Sequence, residues 1–235
     1  MSEILAHHLY ILHSRKYRDT SLLSDVFSLE EGRYSLVFRG ARNSKSKHLG
    51  LLQQFSPILV NVYGKGELKT AGSVDAEGRS RRLAGENLLI GMYVNELLYR
   101  VLGRYDRLPA LYYQYEKLLV ELEKNDFQII QLRKFELSLL AILGYGITFD
   151  IDRKTGRAVE AGSVYRFVVE HGFSSMPGGL QSEHAYMGQQ LLEIARGDYT
   201  IASEKILKQV VRKSLKPLIG ARPLKSRSLF VGRDL

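Results

Sequence analysis

Four cations, Arg39, Arg42, Lys45 and Lys47, crowd one short loop of the stretch RYSLVFRGARNSKSKHLGLLQQFSPILV, residues 33–60, with no acid among them. A solvated turn needs polar side chains, but not cations of a single sign, so this loop is expected to face a polyanion. Arg33 and Lys65 widen the pattern: residues 32–66 hold six Lys or Arg and no Asp or Glu. Residues 205–235 hold nine Lys or Arg against one acid, Asp234, and include Arg212, Lys213, Lys216, Arg222, Lys225 and Arg227. The 235-residue chain carries a net charge of +9, so its remainder is acidic on balance. Both basic segments are candidate phosphate contacts. The aromatics beside the loop, Tyr34, Phe38 and Tyr63, are candidate stacking platforms, because barrels that bind single strands combine a basic groove with aromatic rings. Strand alternation would put Tyr34 and Phe38 on one face, which equally suits a core.

Other chemistries find less support. Cysteine is absent, which excludes disulfides, thiolate metal sites and a cysteine nucleophile. The six histidines, His7, His8, His13, His48, His171 and His184, lack zinc-motif spacing, and no metal or cofactor is expected. Asp150 and Asp152 form an alternating acid pair, but turn capping explains them more simply than acid–base work. GYG at 144–146 and PGG at 177–179 do not fit phosphate-loop patterns, and no GxSxG motif is present. No catalytic residue is identified, and the chain is not expected to be an enzyme.

The elements that position these residues change character along the chain. HLYILHS, TSLLSDVFS, YSLVFRG, PILVNVYG and ELKTAGSVD are short β-branched and aromatic runs separated by turn signals. They predict a five-stranded antiparallel barrel of OB type over residues 1–80, although an SH3-like barrel reads almost the same. Helical periodicity follows over 81–146, in three helices whose stripes include Leu89/Tyr93/Leu97/Val101, Leu111/Tyr115/Leu118/Leu122 and Leu132/Phe135/Leu139/Ile142. Residues 147–185 relax into loops and short strands. Two further helices, near 186–196 and 201–216, lead into a basic, irregular tail. The fold class is therefore α+β: an OB-type barrel, then a helical domain with a small inserted module. The opening MSEILAHHLYILHSR lacks a basic segment followed by a long apolar one, and no run is long enough to span a bilayer. A cytoplasmic protein with no membrane role is expected.

Six stretches in order carry a family resemblance: LHSRKYRDTSLLSDVFSLEEGR, RGAR at 39–42, LLQQFSPILV with GKGELKT, GMYVNELLYRVL, LRKFELSLLAILGYG and LKPLIGARPLKSRSLF. Over nearly its whole length the chain resembles the bacterial RecO recombination mediators. That resemblance implies an OB domain, a helical domain and a small module that many relatives build around four-cysteine zinc. The cysteine-free 147–185 resembles the metal-free branch. It further implies binding of single- and double-stranded DNA, ATP-independent strand annealing, and cooperation with RecR to help RecA displace single-strand-binding protein (SSB), with the protein at the nucleoid during repair. Relatives grip the acidic, aromatic-tipped SSB tail. An apolar slot with a cationic rim suits such a tail, and Leu132, Phe135 and Leu139 beside Arg133 and Lys134 are the candidates. From charge alone, an RNA-binding or ribosome-associated protein remains the alternative; a metal-dependent nuclease would need carboxylates that 32–66 lacks.

Overall fold

The structure is a computed structural model that describes residues 5–43, 46, 49–64, 66–176 and 185–230. Five strands, β1 (Leu5–Tyr17), β2 (Ser21–Ser28), β3 (Gly32–Phe38), β4 (Ile58–Tyr63) and β5 (Leu68–Ala76), close a barrel in the order β1-β2-β3-β5-β4. Closure depends on the length of β1. Its first residues, Leu5–Leu9, pair with β4, while Leu9–Tyr17 pair with β2. The pairing of β3 with β5 is parallel and every other pairing antiparallel, which gives the OB arrangement expected from the sequence. Inward residues of each strand, among them Leu9, Ile11, Val26, Tyr34, Leu36 and Val60, fill the interior.

The outer face of β1 and β2 is buried as well. Tyr10 and Phe27 lie outside the barrel against Tyr112 and Tyr115 of α2 (Pro109–Leu122), with ring centroids 5.1–6.3 Å apart. Such aromatic pairs contribute about 0.5–1.5 kcal/mol each beyond the area they bury. Polar groups complete the seam: Tyr115 Oη donates to Asn95 Oδ1 at 2.6 Å, and Asn95 sits on α1 (Gly85–Val101). The loop between α1 and α2 is stitched to the barrel too. Tyr105 N–H donates to Arg33 O at 2.9 Å, and the Tyr105 ring stacks on Tyr34 at 5.7 Å.

These seams join α1 and α2 to the barrel in one compact unit. The chain forms two compact units, Met1–Phe127 with Arg222–Leu235, and Gln128–Ala221. The sequence reading ended the barrel domain near residue 80, whereas α1 and α2 belong with the barrel because they cover its second apolar face. The described part of the tail is regular rather than irregular. Residues Lys225–Phe230 form a 3-10 helix in the first unit, and Glu96 of α1 accepts from the backbone N–H groups of Lys225 and Ser226 at 2.8 and 2.7 Å.

In the second unit, α3 (Ile129–Ile142) is followed by a three-stranded sheet, β6 (Val164–Val168), β7 (Gly172–Ser175) and β8 (Ala185–Met187), in the order β7-β6-β8. Helices α4 (Gly188–Arg196) and α5 (Ile201–Ile219) complete it. Helix α5 extends past the expected end near residue 216 and includes Pro217. Pro217 lies inside the last turn, and the helix ends at Ile219 with Gly220 as its C-cap. Phe173 anchors the sheet, with Phe149, Phe167 and Tyr186 rings 5.0–5.5 Å from its own. Asp152 is buried in the turn before the sheet and accepts from Lys154 N–H at 2.9 Å, the turn-capping role expected of it, while Asp150 is exposed. Among the described residues, no three His, Cys, Asp or Glu side chains gather as a metal would require.

Gly32 tests the stitching of the α1–α2 loop. It adopts φ +71°, and a Cβ there would fall 1.8 Å from the Asp106 carbonyl oxygen. Gly32→Ala should therefore cost roughly 2–4 kcal/mol, read as a lowered denaturation midpoint. An unchanged midpoint would mean that the loop is not held against β3.

Candidate nucleic-acid interface

Strand register brings Arg15, Lys16, Arg18, Arg39 and Arg42 together at one end of the barrel. Lys16 on β1 lies across from Leu22 on β2, and Leu22 lies across from Phe38 at the end of β3. The turn after β1 and the loop after β3 therefore meet. Arg42 fastens them: its backbone N–H donates to Thr20 O at 2.8 Å, and its guanidinium donates to Ser21 O at 3.1 Å, to Arg18 O at 2.7 Å and to Asp19 O. Arg39 is exposed beside this junction, and Arg15, Lys16 and Arg18 are exposed on the β1 side, with Asp19 the acid in the turn. The Arg18 guanidinium carbon lies 5.3 Å from the centre of the half-buried Tyr17 ring. Clustered cations with an accessible ring at one barrel end form a surface suited to phosphates.

The arginines that the sequence grouped together divide between two roles. Arg33 serves the fold. Its Nε donates to Leu102 O at 3.0 Å, its guanidinium lies 3.8 Å from Asp25, and it packs over the Tyr99 ring at 5.3 Å. Burial lowers its pKa from the ordinary value while Asp25 opposes that shift. Arg42 likewise spends its donors on carbonyls. Lys45, Lys47 and Lys65 lie outside the described residues, as do His48, His184 and the PGG segment. Tyr34 and Phe38 are core residues of the barrel and do not offer stacking platforms. Tyr63 remains half-exposed on β4.

The second basic segment splits between the compact units. Arg212, Lys213 and Lys216 lie on α5; Arg212 and Lys216 are exposed, and Lys213 Nζ donates to Tyr186 Oη at 3.3 Å. Arg222 and Lys225 are exposed and Arg227 half-buried in the first unit. Arg15, Lys16 and Arg18 were missed as sites, although SRKYRD shows three cations in a row of four residues. Asp19, directly after them, interrupts the single-sign pattern that marks residues 32–66.

The expected slot on α3 is not open. Leu132, Phe135 and Leu139 are buried, and Arg133 is buried with Glu136, which accepts from it at 2.6 Å. Arg133 is thus an internal partner rather than a rim cation, because the i,i+3 spacing turns both groups inward. Lys134 is exposed, with Nζ 4.9 Å from the Tyr199 ring centre.

A closed five-stranded barrel with a cationic end, followed by helices, defines an OB-type architecture. The family models for the N-terminal and C-terminal parts of recombination protein O match residues 1–77 and 82–228. DNA repair protein RecO of Cellvibrio japonicus is 41% identical over 222 residues, covering 94% of each chain. RecO of Psychromonas ingrahamii is 36% identical over 231 residues, 98% of this chain and 99% of its own, and RecO of Pseudoalteromonas atlantica is 40% identical over 222, covering 94% and 92%. The chain belongs to the RecO family, whose role lies in DNA repair and recombination. No described helix is long and apolar enough to cross a membrane.

Two outcomes follow from these placements. Arg133→Ala leaves Glu136 buried without its cation and should destabilise by about 3–5 kcal/mol, whereas Arg133→Met with Glu136→Leu should recover most of the loss. Equal stability of Arg133→Ala and wild type would show that the pair is exposed. Purified protein should carry no stoichiometric zinc, and a chelator should leave its unfolding curve unchanged, since Phe173 and Asp152 organise the small sheet. One equivalent of tightly held zinc would overturn that reading.

Proposed function

We propose that this protein is a DNA-binding recombination mediator that anneals complementary strands without ATP and, with RecR, helps RecA replace SSB on single-stranded DNA. The supporting observation is the cluster of exposed Arg15, Lys16, Arg18 and Arg39 at one end of the barrel, in a chain of the RecO family. Lys45 and Lys47 follow in the same loop by sequence. The mechanism is electrostatic. Cations that neutralise phosphates on two strands lower their mutual repulsion and let base pairing proceed, with no bond chemistry by the protein. Exposed Arg212 and Lys216 on α5, and Arg222 and Lys225 in the first unit, supply further phosphate contacts, including those to double-stranded DNA. SSB remains a proposed partner through its acidic tail. Of the α3 residues assigned to that tail, Lys134 is the one at the surface. The protein acts in the cytoplasm, at the nucleoid.

Salt dependence tests the electrostatic basis. With about six phosphates neutralised, log K for single-stranded DNA should fall against log salt with a slope near −4, about −0.7 for each contact. Replacing Arg15, Lys16, Arg18 and Arg39 together by Ala should flatten that slope by about 2–3 and weaken annealing of SSB-coated complementary oligonucleotides. The unfolding midpoint should hold, because exposed cations contribute little to stability. An unchanged slope would place the interface elsewhere. An RNA-binding role is the competing reading, and it would be favoured if RNA displaced DNA of the same sequence at matched salt.

A further inference from the structure

The first unit contains a cleft of about 480 Å³ between β1, α1 and the C-terminal 3-10 helix, a volume within the range of ligand sites, roughly 300–1,000 Å³. Leu12, Met92, Tyr99 and Leu229 make its lining mainly apolar, and the His13 ring lies 6.0 Å from that of Tyr99. Met92, Tyr99 and Leu229 are exposed, which is costly for apolar groups that meet only water. Arg100 and Lys225 also line it, with the Arg100 guanidinium donating to Arg222 O at 2.9 Å. The single carboxylate in the lining, Glu96, has both oxygens engaged by the backbone N–H groups of Lys225 and Ser226. The lining of the cleft is thus mainly apolar, with two cations and one engaged carboxylate. Ser226 Oγ, beside it, is buried with no hydrogen-bond partner among the described residues.

We propose that this cleft receives an unstacked base of a single strand whose phosphates run along the cationic end of β1. The inference rests on the DNA-binding reading above and adds a subsite to it. Continuity supports it. Strand alternation sets His13, Arg15 and Tyr17 on one side of β1, about 6.6 Å apart, leading from the cleft to Arg18 and the Arg39 junction. A strand on those cations has its next nucleotide at the cleft mouth. Apolar and aromatic walls hold a splayed base through its faces. The closed barrel has no free strand edge beside the cleft for pairing with a peptide, which favours a base over an extended protein segment.

The test compares a short oligothymidylate with a strand of equal length in which abasic sites replace the bases, each titrated by fluorescence anisotropy at low salt. Wild type should prefer the base-bearing strand by at least about fivefold, the lower end of what one stacked base contributes. Met92→Gln with Leu229→Gln keeps side-chain size but makes the walls polar. This variant should lose the preference while binding the abasic strand as wild type does. Tyr99→Leu should act likewise, and supplies the reading if the double variant unfolds. Preference kept by both variants, or absent from wild type, overturns the proposal. Failure of wild type to bind either strand would instead overturn the DNA-binding reading, and the subsite with it. A base preference unaffected by the variants, together with variant-sensitive binding of an acidic peptide ending in phenylalanine, would assign the cleft to a protein partner and also overturn it.

Discussion

Tyr10 and Phe27 point away from the barrel interior, yet they are fully buried. The architecture of the first unit depends on this. An OB barrel of five short strands has one apolar interior, and strands that are apolar on both faces need a second cover. Tyr112 and Tyr115 supply that cover from α2, and Asn95 of α1 ties the seam by accepting from Tyr115 and donating to the carbonyls of Ile11 and Leu12. Those carbonyls lie where β1 shifts register between Ile11 and His13. Gln54 also donates to Leu12 O, at 2.6 Å. A local irregularity of the strand is thus satisfied by Asn95 of α1 and by Gln54, and the same Asn95 ties the covering helix α2 to the barrel.

Arginine does two kinds of work here, and burial separates them. Arg33, Arg42 and Arg133 carry several directional donors into partly or fully dry surroundings, where they meet carbonyls or a carboxylate. A guanidinium suits this because its planar fork satisfies more than one acceptor and is weakly hydrated. Arg15, Arg18 and Arg39 instead keep their charge in water. Lys69 belongs with the first group: it pairs with Glu31, and its ammonium lies 5.2 Å from the ring centres of both Tyr34 and Tyr105. Formal charge along the chain therefore overstates what the surface presents.

Period-two alternation in HLYILHS and YSLVFRG and the shift to helical spacing after residue 80 made the order of barrel and helices legible from sequence. Partnership was not. Tyr10 reads as one more strand residue, and only the tertiary structure shows that its neighbours are Tyr112 and Tyr115, a hundred positions on. The cationic character of the barrel was legible in the loop after β3. Which cations are available was not, because Arg42 and Arg39 differ only in the carbonyls within reach. The α3 stripe misled for a related reason: a helix with Arg beside Leu and Phe looks like a rimmed slot until Glu136, one turn on, is seen to turn the charge inward.

The path of the chain gives the 3-10 helix a place in time as well as in space. The first unit is interrupted by the whole of the second, and residues 222–230 return to α1 only after Gln128–Ala221 have been made. A ribosome that has emitted the barrel, α1 and α2 has produced nearly all of the first unit, but Glu96 still lacks the two N–H groups that it will accept. Assembly of this wall therefore has to wait until the whole of the second unit has been made. A chain that stalls or is clipped before Lys225 would keep its barrel seams and its cations, yet leave the α1 face unfinished, a nascent species distinct from the mature protein.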